Sequence, residues 1–241
     1  MNDSPTDPLR EARVLIVGTG PMGLAAARRA LGRGAAVTIA GRSAERLQAA
    51  GATVPDAETA LADTEQEADA QRLLARDPAW DHVLVVAGTA GASASSIVAT
   101  PLAEAKKAYG RLWLTYNVLR AVAGNVGEGG PVTVLGGSSG RRPMAGFGVW
   151  GSLHGSLESL AMNAALELAP VRVNVISPGG IGIRTDRQLV PHRGEADDIA
   201  AMACALMENP AVTNTVVDVD GGERLGTYPS AENAWAAEIA C

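Results

Sequence analysis

Three glycines in the pattern Gly18-x-Gly20-x-x-Gly23 are the first residues in this chain whose spacing implies chemistry. They follow the apolar run Arg13-Val-Leu-Ile-Val17 and open an alanine-rich segment, the setting of a strand turning into a helix. There the first glycine permits a tight turn, the second lets a pyrophosphate approach the backbone, and the third packs helix on strand. The alternative is a chance triplet in a chain with 28 glycines; the strand-turn-helix context favours a dinucleotide site. A site for NAD carries an acid at the end of the second strand to take the ribose hydroxyls, whereas this chain has Ala40-Gly41-Arg42. A guanidinium there pairs with a 2′-phosphate, so the expected cofactor is NADP(H). A solvated arginine opening the next helix is the plainer reading of Arg42.

The elements that must hold this turn are legible as continuous apolar strands alternating with helices. Strands are expected at 13–17, 36–40, 82–87, 131–135, 171–176 and 215–219, with helices at 24–32, 43–50, 102–123 and 148–169. A further helix should start at the acidic turn 194–198. Such alternation means a parallel sheet covered on both faces. The expected fold is α/β: a single doubly wound Rossmann-type domain over 13–226, with a six- to seven-stranded parallel sheet and helices on both faces. Residues 1–12 are expected to be a flexible lead. Residues 227–241 are expected to be a tail in which Ala231, Trp235 and Ile239 share one face of a short helix.

Composition narrows the partners. With 241 residues, 47% hydrophobic and 19% charged, the chain reads as one soluble globular domain. Twenty Lys and Arg against 26 Asp and Glu give a net charge of −6 with no basic cluster, so nucleic acid and anionic membranes drop out as leading partners. No apolar run approaches the ~20 residues of a membrane span. The polar start lacks the apolar core of a secretory signal, so a cytoplasmic location is the default expectation. Cys204 and Cys241 match neither a disulfide framework nor metal-ligand spacing; both are expected to be free thiols, and no metal is expected.

Later segments add motifs in a telling order. Gly136-Gly-Ser-Ser-Gly-Arg-Arg-Pro-Met-Ala-Gly-Phe147 looks like a catalytic-serine strand and loop, Asn174-Val-Ile-Ser-Pro-Gly179 like an Asn-x-x-x-Pro-Gly motif, and Asp218-Val-Asp-Gly-Gly222 like a terminal strand and turn. Together with the glycine turn they resemble the short-chain dehydrogenase/reductase family over nearly the whole chain. The resemblance implies that Asp63 and Thr64 line an adenine pocket and that Val86-Ala87-Gly88 stands for the family's Asn-Asn-Ala-Gly segment. The cofactor set it implies is Gly18, Thr19, Gly20, Met22 and Gly23 at the turn, Arg42 and Ser43 after the second strand, and Asp63 and Thr64. Ala87, Gly88, His154, Pro178, Gly179 and Ile181 complete it.

The resemblance departs at the chemical centre. Regular members carry a Ser, a Tyr-x-x-x-Lys pair on the fifth helix and an Asn on the fourth. Aligning the flanking residues puts Trp150 at the Tyr, His154 at the Lys, Gly137 at the Ser with Ser138 one step on, and Arg111 near the Asn with Tyr109 close by. The candidate catalytic residues are therefore His154, Trp150, Ser138 and Arg111. An indole releases no proton near neutral pH, so Trp150 can only shape or stack. His154 lies one turn on and, with an ordinary pKa of ~6.5, can exchange protons; the alternative is a ribose contact or a packed ring. Ser138 and Ser139 offer hydroxyls, or simply form a turn. Arg141 and Arg142 lie next to the expected substrate side, where they meet an anion or are solvated.

Three functions fit these residues. One is an NADPH-dependent reductase of a small organic molecule, an iminium ion or a carbonyl, that manages without the usual proton donor. Another is a non-redox dehydratase, isomerase or cyclase using His154 as acid/base. The third is a catalytically silent cofactor-binding partner. The short stretch 180–192, where regular members carry a substrate lid, implies an open site or one completed by a neighbouring subunit. Regular members pair their fourth and fifth helices, and Leu112, Leu114, Leu153, Leu157 and Leu160 on those helices lead to an expected homodimer or homotetramer.

Overall fold

The computed structural model describes residues 7–76, 78–88, 95–182 and 188–225. Seven strands form one sheet: β1 (Arg13–Val17), β2 (Ala36–Gly41), β3 (Glu58–Leu61), β4 (His82–Val85), β5 (Pro131–Leu135), β6 (Arg172–Pro178) and β7 (Val216–Val219). Their order is β3-β2-β1-β4-β5-β6-β7, and every pairing is parallel. The helices are α1 (Pro21–Leu31), α2 (Ala44–Thr53), α3 (Glu67–Leu74), α4 (Leu102–Ala121), α5 (Gly148–Glu167) and α6 (Ala196–Glu208). The doubly wound fold expected from the sequence is therefore observed.

The pleat explains how one strand serves two cores. In β1, Leu15 and Val17 join an apolar cluster with Leu114, Val118, Leu153 and Leu157 of α4 and α5. The alternate residues Val14 and Ile16 join a second cluster with Ala26 and Ala30 of α1 and Ile199 and Ala203 of α6. Strand order reverses between β1 and β4, and the register sets Val17 beside Ala40 on one side and Val85 on the other. The chain that follows each of these strands therefore emerges level at one edge, the crevice where doubly wound folds take ligands.

Several local expectations shift. Helix α1 starts at Pro21, earlier than the apolar pattern implied, because proline's fixed φ suits the first helical position. Strand β3 and helix α3 were not legible as separate elements; β3 is a largely exposed edge strand without an apolar run. Residues 7–12 are not a loose lead: Leu9 is fully buried, and Asp7 pairs with Arg33 at 2.6 Å. Of the five leucines expected to reach a second subunit, Leu114, Leu153 and Leu157 are spent in this chain's own core. Cys204 is buried, which pushes its thiol pKa up. The proposed helix around Trp235, together with Cys241, lies outside the described residues.

Candidate active site

The glycine turn is shaped by contacts that exclude a side chain. Gly18 has φ +134°, and a Cβ there would lie 2.7 Å from the Ala87 backbone nitrogen. A Cβ on Gly23 would lie 2.5 Å from the Gly18 carbonyl oxygen. Gly20 differs: a Cβ there would meet nothing within 4 Å, so the turn opens onto free space. Gly20 caps α1, whose first turn has no side-chain cap and no acid, leaving amide N–H groups and the positive end of the helix aimed at that space. These features fit the pyrophosphate of a dinucleotide. The Thr19 methyl packs under Gly41, and Met22 packs into the apolar cluster behind the turn.

The side on which the family resemblance expects adenine is built from the ends of β2 and β3. Arg42 extends its exposed guanidinium to Glu65 Oε1 at 2.6 Å. Ser43 caps α2, its hydroxyl accepting from the Arg46 amide at 3.3 Å. Asp63 accepts from the Glu65 amide at 3.3 Å, and Thr64 is buried. Asn117 on α4, which sequence reasoning passed over, donates to the Thr64 and Glu65 carbonyls at 3.1 and 3.0 Å and so pins this loop. A carboxamide inside an otherwise mixed helix was its only signal. At the other end Pro178 closes β6, Gly179 lies against Asp220 and Glu223, and the Glu223 carboxylate takes the Gly180 amide at 2.7 Å. Ile181 packs on the α1–α6 face.

The opposite wall is made by side chains. The backbone at Gly137 is extended, and a Cβ there would overlap the His154 imidazole. The ring thus fills the volume that a serine at 137 would use. His154 Nε2 lies 3.3 Å from Arg111 Nη1, and its Nδ1 lies 2.8 Å from Ser139 Oγ. A guanidinium can only donate, so Nε2 is the acceptor; the neutral ring then carries its hydrogen on Nδ1 and donates it to Ser139. The Ser139 hydroxyl hydrogen is left free. Burial, and then the Arg111 charge, pushes the His154 pKa down to about 4, so the ring is neutral at pH 7. This counters the expectation of a group exchanging protons near neutrality.

The remaining candidates fall into place around this chain. Trp150 is half-buried, its ring 6.1 Å from the imidazole and tilted by 44°. Ser138 is buried, and its carbonyl takes the Arg141 and Arg142 amides; the hydroxyl that meets His154 belongs to Ser139 instead. Tyr109 donates to Ser152 Oγ at 2.8 Å and ties α4 to α5. Arg141 is engaged by Glu158 and Asp218, and Arg142 by the Glu223 carbonyl, so both are structural. Helix α5 contains neither Tyr nor Lys.

A family model described as enoyl-(acyl carrier protein) reductase matches residues 19–223, and the chain belongs to this family of short-chain dehydrogenase/reductases. It is similar to the short-chain dehydrogenase/reductase ATR9 of Stachybotrys chlorohalonatus, at 28% identity over 90% of this chain and 98% of that protein. A short-chain type dehydrogenase/reductase from Mycobacterium ulcerans superposes with TM-score 0.83 at 24% identity, covering 95% of this chain and 94% of that one. The MalC reductase/Diels-Alderase of Malbranchea aurantiaca superposes with TM-score 0.81 at 22% identity, over 91% of this chain and 98% of that one. These two likenesses are of fold. Proteins of this family bind nicotinamide cofactors, and its named relatives include reductases. Among the described residues no helix is long and apolar enough to cross a membrane.

Proposed function

We propose that this chain is an NADPH-dependent reductase of a small carbonyl compound or its conjugated analogue, working without a side-chain general acid. The observation that carries this reading is the Arg111–His154–Ser139 hydrogen-bond chain at the end of β5. NADPH, when bound, supplies the hydride. Gly18, Gly20 and Gly23 with the α1 amides hold its pyrophosphate, and Arg42 takes the 2′-phosphate in exchange for Glu65. Ser139 hydrogen-bonds the substrate oxygen through its free hydrogen, solvent water protonates the alkoxide or enolate left by hydride addition, His154 fixes the orientation of Ser139, and Trp150 walls the pocket.

Without a general acid, carbonyl reduction typically slows ~10²- to 10⁴-fold. Arg111 offsets that loss by placing positive charge near the developing oxyanion. The same charge repels an iminium ion, the other substrate class the sequence left open. The non-redox reading needs His154 as acid/base, which is disfavoured because both ring nitrogens are engaged, by Arg111 and Ser139, and because a pKa of about 4 makes the ring a weak base with no proton to give at pH 7. Reduction with 4-deuterated NADPH over a panel of ketones, enones and cyclic iminium ions tests the reading: deuterium should appear in ketone or enone products, with iminium ions at least about tenfold slower. Faster iminium turnover, or product without deuterium, overturns it.

The reading includes assembly. Trp113 and Tyr116 on α4 are 57% and 41% exposed beside Leu112 and Leu160, an apolar groove that a second copy covers. Light scattering should give a multiple of 24.6 kDa.

A further inference from the structure

Arg111 is a cation with no carboxylate partner among the described residues. Arg141 is matched by Glu158 and Asp218, Arg224 by Asp218 and Arg42 by Glu65, while Arg172 spends its donors on four backbone carbonyls. Arg111 meets one imidazole nitrogen and the Leu135 and Gly136 carbonyls, and no carboxylate among the described residues pairs with it. Three of its five N–H groups are used, leaving two without a partner among the described residues. Burial pushes its pKa down to about 10, which still leaves it charged at neutral pH. It lies between His154 and the cofactor-side segment, where a Cβ on Gly88 would sit 4.0 Å from its Cδ.

Arg111 is half-buried, and a partly desolvated charge is less favourable than a hydrated one until an anion pairs with it. The pairing group must be an anion with acceptors for two N–H donors, and the half-buried Trp150, 6.1 Å from the His154 ring that Arg111 meets, offers an apolar wall for an organic body. We propose that the substrate of this site carries a carboxylate, which Arg111 binds through its unpartnered N–H groups. This inference rests on the reductase reading for the word substrate; the anion site itself stands on geometry alone. Of the residues outside the described ones, 89–94 contain no acid and 183–187 contain Asp186, while the others contain Asp3, Asp77, Glu232 and Glu238.

The test uses benzoate and its neutral isostere benzamide as probes, titrated calorimetrically into the full chain saturated with NADP⁺. Benzoate should bind at least about tenfold more tightly than benzamide. Arg111→Gln should remove the difference, and Arg111→Lys, which keeps the charge, should retain part of it. Equal binding of the two probes to the unaltered protein, or no benzoate binding at tens of millimolar, overturns the inference without relying on any variant. So does benzoate binding that emerges only in Asp186→Asn, which would make Asp186 the counter-ion. NADP⁺ binding is measured separately: its loss with benzoate preference intact defeats the reductase reading and leaves the anion site standing.

Discussion

The two walls of the crevice are built by different means. At the β1–α1 turn, position is set by backbone: Gly18 and Gly23 leave no room for a Cβ, and α1 presents bare amides. At the β5–α5 wall, position is set by side chains, with Arg111, His154 and Ser139 holding one another in a hydrogen-bonded row. A backbone-built site tolerates no side chain at its close-packed glycines, here Gly18 and Gly23, but is indifferent to pH. A site built from side chains can be exchanged piece by piece while the fold stays constant, and its stability depends on protonation. Chemistry can therefore diverge at one wall while cofactor binding is retained at the other.

The strongest way to break this contrast is Gly18→Ala, which adds a Cβ 2.7 Å from backbone at a φ that L side chains rarely adopt. It should lower stability by about 3 kcal/mol and abolish NADPH binding, read by urea unfolding and by fluorescence titration. An intact site in this variant would mean that the turn is not backbone-determined.

Acid is the next lever. His82 is almost fully buried with neither ring nitrogen bonded, and burial pushes its pKa down to about 4, as it does for His154. In the unfolded chain both titrate near 6.5 and bind protons that the folded chain refuses. Stability is therefore full above about pH 6.5 and falls as pH drops toward 4. Between pH 7 and 5 the loss should be about 2 kcal/mol for His82 and less for the more accessible His154. Unfolding curves at the two pH values for His82→Leu and His154→Gln should each show a smaller drop than the parent; unchanged drops would mean the rings are solvated.

Gly137 and His154 should be coupled. Gly137→Ser places its side chain in the imidazole's volume and should lose about 1–2 kcal/mol, whereas in a His154→Ala background the same change should be nearly neutral. Additive losses would show that the ring has another resting place. Restoring the family residues as Trp150→Tyr with His154→Lys should then fail to improve the native reaction, because the serine is still missing.

The smallest effects belong to the adenine side. Arg42→Ala should reduce an NADPH-over-NADH preference of about tenfold to parity, and Glu65→Gln should tighten NADPH by only a few-fold, since an exposed pair contributes about 0.2–1 kcal/mol. NADH binding should be insensitive to Glu65→Gln.

The same contrast explains what could be read in advance. Glycine spacing and unbroken apolar strands are written locally, so the turn, the sheet and the crevice edge were legible from runs such as 13–17 and 131–135. Edge strand β3 escaped because its residues face solvent and carry no apolar period. The alignment singled out Arg111, Trp150 and His154, which the structure brings together at one wall, but one residue of offset separates Ser138 from the Ser139 that meets His154. Only the 3-10 turn Ser138–Gly140, laid on α5 by the missing side chains of Gly140 and Gly151, decides which hydroxyl faces the imidazole. Nor does sequence show that His154 is neutral, because that follows from burial and from a guanidinium 43 residues away in the chain.

Arg33 has a consequence for where this chain can be cut. Its guanidinium holds Asp7, ahead of the sheet, and Glu208, the last residue of α6, while Leu9 is sealed beneath. One side chain thus staples the entry of the domain to its penultimate layer, and the stretch 7–12 behaves as a plug rather than a leader. A tag joined ahead of residue 7 leaves that plug in place, whereas an amino-terminal trim to residue 13 uncorks the α1–α6 seam far from the crevice.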